Sequence, residues 1–390
     1  MNNTEKRRVT ILGSTGSVGT QTLDLIARDA QRYDIVALTA NRNVKELVRQ
    51  ALAVKPHLAV IADETKYKDL KDALAGENIE IAAGKGALVE AAQRPSDWVM
   101  AAIVGSAGLP PTLAAARTGS ILAFANKETL VCAGPLMMDL VAKEGCKLLP
   151  VDSEHNAIYQ VFDETQRDSV DRLILTASGG PFRTWTRAAM KDITPAQACH
   201  HPVWAMGAKI SVDSATMMNK ALEVIEAAWL FNMPEKQIEV VVHPQSVIHS
   251  MVAYKDGSTL AQLGTPDMRI PIGYCLAWPQ RMKTPAARLD FTQINQLTFE
   301  APDPERFPAL RLGREALRLG GTAPLVLNAA NEIAVQAFLD GQIGFLDIEK
   351  IIETTLQQGF ITSLESLDQL FEVDEKARAF ARSVRQSLLR

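Results

Sequence analysis

A strand that runs into a series of glycines and then directly into a helix leaves a chain few folds to adopt. Arg8 to Leu12 is a short β-like run ending in Gly13-Ser-Thr-Gly16-Ser-Val-Gly19, after which Thr20 to Arg28 has helical spacing with apolar Leu23 and Ile26. Glycines let the backbone bend sharply and let amide N–H groups approach a pyrophosphate at the positive end of the helix. The spacing G-x-x-G-x-x-G is not the commoner G-x-G-x-x-G, and alone it is a weak signal. Its surroundings strengthen it, because a second strand, Asp34 to Thr39, follows at the distance expected of a βαβ unit.

Cofactors with a free ribose 2'-hydroxyl are usually held by an acidic residue at the end of that second strand. This chain offers Asn41, Arg42 and Asn43 instead. A cation and two amides suit a 2'-phosphate, so NADPH is preferred over NADH, the competing reading being that Arg42 is an ordinary loop cation. Leu58 to Ile61, Val99 to Val104 and Ile121 to Phe124 continue the alternation and predict a Rossmann-like, doubly wound parallel sheet. The last run enters Asn126-Lys127-Glu128 at the expected ligand edge, where Asn126 could equally cap the next helix.

The formal charge of -4 is spread without a basic block, so nucleic acid is not an expected partner. No membrane span is visible. The charged lead passes into the first strand without an apolar signal region, so a cytoplasmic protein is expected. Cys132, Cys146, Cys199 and Cys275 are far apart and read as reduced, mostly packed thiols.

Lys147 to Val151 is a further strand that empties into Asp152-Ser153-Glu154. Two carboxylates flanking a hydroxyl are hard oxygen donors for Mg2+ or Mn2+, with Glu223 as a third; helix capping is the alternative and could coexist with ligation. In the stretch His201 to Phe231, Asp213 or Ser214 could cap a helix on which Asn219, Glu223 and Glu226 share one face with Lys220 at its edge. That face could also be no more than a solvated one. Ser178-Gly-Gly180-Pro181 follows another strand and could hold a phosphate or only turn the chain. The loop with His200, His201, Trp204, Met206 and Gly207 reads as a closing lid, or as packing for Trp204.

From Ile238 the chain becomes β-rich, with Lys255-Asp-Gly-Ser258 as a hairpin turn and His243 and His249 as structural histidines. Prolines between 279 and 308 mark a linker. Helices are expected at Asn328 to Leu339, Asp347 to Gln357 and Asp374 to Leu389, with Asn328, Asn331 and Glu332 as site residues or, in the favoured reading, caps. The expected fold class is α/β: a nucleotide-binding domain over 1–151, a central α+β catalytic domain over 152–279, a linker over 280–310 and a helical domain over 311–390.

Seven motifs occur in one order: Gly13-Ser-Thr-Gly-Ser-Val-Gly19, Asn126-Lys-Glu128, Leu149-Pro-Val-Asp-Ser-Glu-His-Asn156, Ser211-Val-Asp-Ser-Ala-Thr-Met-Met-Asn-Lys220, His243-Pro-Gln-Ser246, Gly264-Thr-Pro-Asp-Met268 and Asn328-Ala-Ala-Asn-Glu332. With them, nearly the whole chain resembles the 1-deoxy-D-xylulose 5-phosphate reductoisomerase family of the non-mevalonate isoprenoid pathway. Ala208 and Asn41 depart from it, standing where Lys or Arg and Gly are frequent.

The resemblance implies conversion of 1-deoxy-D-xylulose 5-phosphate to 2-C-methyl-D-erythritol 4-phosphate by rearrangement and hydride transfer. It implies NADPH, a divalent cation (Mg2+, Mn2+ or Co2+) and a homodimer. By analogy, Asp152, Glu154 and Glu223 hold the metal; Ser178, Ser214, Asn219 and Lys220 hold the substrate phosphate; Lys127, Ser153 and His201 address the rest of the substrate. Thr15, Gly16, Ser17, Val18, Asn41, Arg42, Asn43, Asn126, Glu128 and Gly207 are expected at NADPH. A semialdehyde-type dehydrogenase would need a nucleophilic cysteine, for which Cys132 and Cys199 are weak candidates. A nucleotide-sensing protein would have no reason to gather three carboxylates.

Overall fold

The computed structural model describes residues 6–204 and 206–388. Residues 1–5 at the start of the charged lead, position 205 in the expected lid and Leu389 at the end of the last expected helix lie outside them. Two compact units emerge, each assembled from three stretches. One comprises the chain up to Thr129 with Met137–Asn156 and Asp267–Ala287; the other comprises Leu130–Leu136, Ala157–Pro266 and the chain from Arg288 on.

The first unit is built on β1 (Arg7–Leu12), β2 (Tyr33–Ala40), β3 (Leu58–Ile61), β4 (Glu80–Ala83), β5 (Trp98–Ala101), β6 (Ile121–Phe124) and β7 (Lys147–Pro150). They form one sheet in the order β4-β3-β2-β1-β5-β6-β7, with every pairing parallel. Parallel sheets are covered on both faces, which is why β3 and β5 read as unbroken apolar runs and are buried throughout. β1 lies between β2 and β5, so the strand order reverses there and a crevice opens at the carboxyl ends of β1 and β5. Helix Arg269–Ala277 belongs to this unit as well. It packs on helix Ser17–Ala27, and its Cys275 carbonyl accepts the Trp98 indole N–H at 2.9 Å.

The second unit holds a mixed sheet of β8 (Val170–Ala177), β9 (Ile238–Val242), β10 (Ile248–Tyr254) and β11 (Thr259–Leu263) in the order β11-β10-β8-β9. β8 and β9 are parallel and the other pairs antiparallel. The β10–β11 hairpin turns as expected, with Gly257 at φ 91° and the Asp256 carboxylate accepting Ser258 N–H at 2.8 Å. Helix Met218–Leu230 covers the sheet through Val224, Ala227 and the following Phe231, packed with Leu173, Leu175, Val240 and Val252.

Helices Ala309–Leu319, Ala323–Leu339, Asp347–Leu356 and Leu367–Ser387 complete the second unit. Asn328, Asn331 and Glu332 are not caps: all three lie inside helix Ala323–Leu339, the two amides fully buried and Glu332 half-buried, because that helix starts five residues earlier than its polar residues suggest. His243 is structural, its Nδ1 2.9 Å from the Thr298 carbonyl and its ring stacked on Phe299.

Candidate functional site

In the first unit, the glycine turn occupies the crevice that the strand order creates. Gly13 has φ +85°, and a Cβ there would stand 2.7 Å from the Ala102 carbonyl oxygen just beyond β5. A Cβ on Gly19 would come within 2.4 Å of the Gly13 carbonyl oxygen, so the helix can start this close to the turn only without a side chain. Gly16 is less constrained, with 3.4 Å to the same oxygen. It is the N-cap of helix Ser17–Ala27 and supplies no side-chain cap, and no acidic residue lies in the first turn. The helix therefore presents N–H groups and positive potential where an anion is favoured. Gly16 and Ser17 are exposed, and Thr15 and Val18 half-buried.

Asn41, Arg42 and Asn43 are all exposed just past β2. The Arg42 side chain is 77% exposed and lies 3.0 Å from Asp63. Asn43 caps helix Val44–Val54, its Oδ1 accepting Glu46 N–H at 3.1 Å. Asn126 is 1% exposed. Its Oδ1 accepts Thr129 N–H at 2.8 Å and its Nδ2 donates to Gly105 at 2.9 Å and to Ile103, which ties the loop after β5 to the end of β6. The capping role is therefore real, and this amide is engaged inside the protein. Glu128 is buried beside it in sequence.

Past β7, Asp152 accepts Glu154 N–H at 3.2 Å at the start of helix Ser153–Val161, and the Lys127 ammonium lies 2.6 Å from its other oxygen. Ser153 Oγ donates to Glu154 Oε2 at 2.6 Å. Capping does not exhaust these groups: Asp152, Ser153 and Glu154 each remain partly exposed.

In the second unit, Ser178 leaves β8 and is followed by Gly179 and Gly180 at φ +83° and +69°. A Cβ on Gly180 would sit 2.7 Å from the Ser214 carbonyl oxygen, so the Ser178 loop lies directly on the end of helix Ala208–Ala215. Ser178 Oγ accepts Gly180 N–H at 3.2 Å and lies 3.1 Å from His201 Nε2. The other ring nitrogen of His201 accepts Val203 and Trp204 N–H at 3.2 and 2.9 Å. Nδ1 is thus unprotonated in the neutral ring, and Nε2 carries the proton and donates to Ser178. Trp204 and Met206 are half-buried, Trp204 lying 6.2 Å from the His249 ring, and Gly207 is exposed at the N-cap of the next helix.

The stretch beyond differs from its expected form. Asp213 and Ser214 do not cap the helix bearing Asn219. They belong to helix Ala208–Ala215, and helix Met218–Leu230 starts only after Met217, in left-handed conformation at φ 64°. Nor is the polar face solvated: Lys220, Glu223 and Glu226 are 3%, 0% and 1% exposed. Asn219 Nδ2 donates to Glu223 Oε1 at 2.5 Å and Lys220 Nζ to Oε2. Asp213, one of the two candidate caps, instead joins Lys209 at 2.7 Å and Asn331 at 2.9 Å. The i,i+4 spacing of Lys209 and Asp213 was the readable signal for half of that arrangement.

Known proteins match nearly the whole chain. The family described as 1-deoxy-D-xylulose 5-phosphate reductoisomerase matches residues 9–134, and two of its C-terminal domain families match 148–231 and 263–380. The enzyme of that name from Rhodospirillum centenum is 64% identical over 375 residues, covering 96% of this chain and 93% of its own. The Zymomonas mobilis enzyme is 59% identical over 98% of this chain and 99% of its own. The chain belongs to the 1-deoxy-D-xylulose 5-phosphate reductoisomerase family.

The solved Zymomonas mobilis reductoisomerase in complex with NADPH superposes with a TM-score of 0.93 at 58% identity, covering 98% of this chain and 99% of its own. A reductoisomerase structure with NADPH, fosmidomycin and magnesium gives 0.93 at 42% identity with the same coverage. The reductoisomerase match over 9–134 takes in the glycine turn, Asn41–Asn43 and Asn126–Glu128; the match over 148–231 takes in Asp152–Glu154, Ser178, His201, Ser214, Asn219, Lys220 and Glu223.

Proposed function

We infer that this chain converts 1-deoxy-D-xylulose 5-phosphate to 2-C-methyl-D-erythritol 4-phosphate with NADPH and a divalent cation, in non-mevalonate isoprenoid precursor synthesis. The observation that carries this is 64% identity to a reductoisomerase across 96% of the chain. When bound, Mg2+, Mn2+ or Co2+ polarises the ketone and neighbouring hydroxyl oxygens, and NADPH supplies the hydride.

Asp152, Glu154 and Glu223 hold the cation. Their chemistry fits it: three hard carboxylates, two of which face a lysine ammonium, Lys127 or Lys220, that supplies part of the compensation a dication would complete. Ser178, Ser214, Asn219 and Lys220 hold the substrate phosphate, supported by the close seating of the Ser178 loop on the Ser214 turn. Lys127, Ser153 and His201 address the sugar, His201 offering its Nε2 proton. Binding the remote phosphate orients the reacting carbons and favours closure of the segment with Trp204 and Met206.

Thr15, Gly16, Ser17 and Val18 take the NADPH pyrophosphate at the uncapped helix end. Asn41, Arg42 and Asn43 take the 2'-phosphate. Glu128 and Gly207 complete the cofactor site, and Asn126 serves it by holding the loop after β5. In this division 1–151 binds NADPH, 152–279 binds metal and substrate, 280–310 links and 311–390 is the helical domain, with the difference that Asp267–Ala287 packs into the first unit and the chain from Arg288 on into the second. The assembly is a cytoplasmic homodimer, a reading supported by β11 as an edge strand with exposed Leu260. No helix among the described residues is long and apolar enough to cross a membrane.

The test is NADPH oxidation on addition of the pentulose phosphate with Mg2+, repeated with a chelator. Turnover is expected only with the metal present. Full activity in the chelated enzyme would overturn the metal assignment, and no turnover with any of the three cations would overturn the function.

A further inference from the structure

Asp213 is a buried carboxylate that neither the metal site nor the phosphate site uses. It is 1% exposed, and its two oxygens are divided between Lys209, one turn earlier on the same helix, at 2.7 Å and Asn331 Nδ2 at 2.9 Å. Asn331 comes from the middle of helix Ala323–Leu339, among the fully buried Ala329, Ala330 and Ala334. Its own Oδ1 is buried without a hydrogen-bond partner among the described residues. An amide placed there is left with an unsatisfied acceptor, which opposes folding. Holding Asp213 is the contact it makes in exchange.

We propose that Asn331 is a positioning residue for the substrate-phosphate site, acting through Asp213; this rests on the assignment of Ser214 to the phosphate. Asp213 immediately precedes Ser214, and successive side chains on a helix point roughly 100° apart. Fixing Asp213 toward helix Ala323–Leu339 therefore fixes the direction of the Ser214 Cα–Cβ bond, from which its hydroxyl reaches. The same turn seats the second phosphate hydroxyl, since the Ser214 carbonyl is where a Cβ on Gly180, two residues after Ser178, would collide. A rotation of helix Ala208–Ala215 would displace Ser214 and unseat the Ser178 loop together.

The experiment uses the full-length enzyme with NADPH and Mg2+ and compares Asn331→Leu, Asn331→Asp, the swap Asp213→Asn/Asn331→Asp, and Ser214→Ala. Asn331→Leu and Asn331→Asp are expected to raise KM for the pentulose phosphate about tenfold, the effect of one lost charge-assisted hydrogen bond, with KM for NADPH unmoved. The swap again sets an amide against a carboxylate but takes the carboxylate away from Lys209, so it is expected to recover part of the loss seen in Asn331→Asp. A residue that only stabilises the fold would lower Tm and the active fraction, hence apparent kcat, with the substrate KM unchanged; that result overturns the proposal, as does a swap whose KM is no lower than that of Asn331→Asp. Should Asn331→Leu fail to fold, Asn331→Ser supplies the same reading. If Ser214→Ala leaves the substrate KM unchanged, the phosphate assignment itself falls; if it raises KM while the Asn331 variants do not, only the positioning role falls.

Discussion

The Lys220 ammonium sits directly on the Glu223 carboxylate one helical turn away, with both side chains sealed from solvent. A buried pair adds little net stability, but removing one partner leaves an uncompensated charge. Lys220→Met is therefore expected to destabilise the metal-free protein by about 3–5 kcal/mol in urea unfolding. Added Mg2+ should return part of the loss, because the ion replaces the missing positive charge. A variant as stable as the parent in chelator would show that Glu223 does not depend on Lys220.

Glu223→Gln keeps the shape and removes the charge. Turnover should fall by orders of magnitude, while NADPH affinity, measured by titration, should stay close to that of the parent. A fully active variant would remove Glu223 from the metal site.

The three glycines of the first turn are not equivalent. Gly19→Ala forces a Cβ to 2.4 Å from the Gly13 carbonyl, and Gly13→Ala combines a 2.7 Å contact with a left-handed φ. Both should lower Tm and abolish NADPH binding. Gly16→Ala meets only a 3.4 Å contact, so its Tm should remain near the parent value.

Cys132, Cys146 and Cys275 are buried, whereas Cys199 is half-exposed. Burial pushes the Cys146 thiol up to about 11 and raises that of Cys275 further, so both remain protonated at neutral pH. A disulfide-exchange titration of the native protein should label Cys199 rapidly and the other three only after denaturation. Rapid labelling of Cys132 would contradict its packing and reopen the case for a thiol nucleophile.

Asp267, in the Gly264-Thr-Pro-Asp-Met268 turn, is held below the usual carboxylate range first by hydrogen bonds from Arg269, which reach its two oxygens at 2.6–3.1 Å. A depressed folded pKa contributes stability above the unfolded value and loses it as pH falls through the folded one. Asp267→Asn should thus lower Tm at neutral pH, with the gap to the parent closing below about pH 4. A gap that persists at low pH would mean the effect is packing and not charge.

Much of the first unit was legible because its punctuation is local: glycines at a strand end, unbroken apolar runs for strands buried on both faces. β4 was missed, since Glu80-Ile-Ala-Ala has neither alternation nor a β-branched run. In the second unit the sequence marked Asn219, Lys220 and Glu223 as one group but misjudged their surroundings. Spacing on a helix shows which residues are neighbours, not whether another element covers them. The break at Met217 was equally hidden, because a left-handed turn made by a bulky residue is imposed by packing and leaves no sequence signature. The roles of Asp213 and Asn331 depend on a contact across 118 positions, beyond any local pattern.

The bond from the Trp98 indole to the Cys275 carbonyl bears on how the polypeptide matures. The strand that carries Trp98 leaves the ribosome 177 positions before its acceptor does. Domains made of one continuous stretch can finish folding while the remainder is still being translated. This nucleotide-binding sheet cannot reach its final state until the segment ending at Ala287 has emerged. A gene fragment cut at the last parallel strand would therefore encode a sheet with an unsatisfied tryptophan donor, and any transplant of this module into another chain must bring Asp267–Ala287 with it.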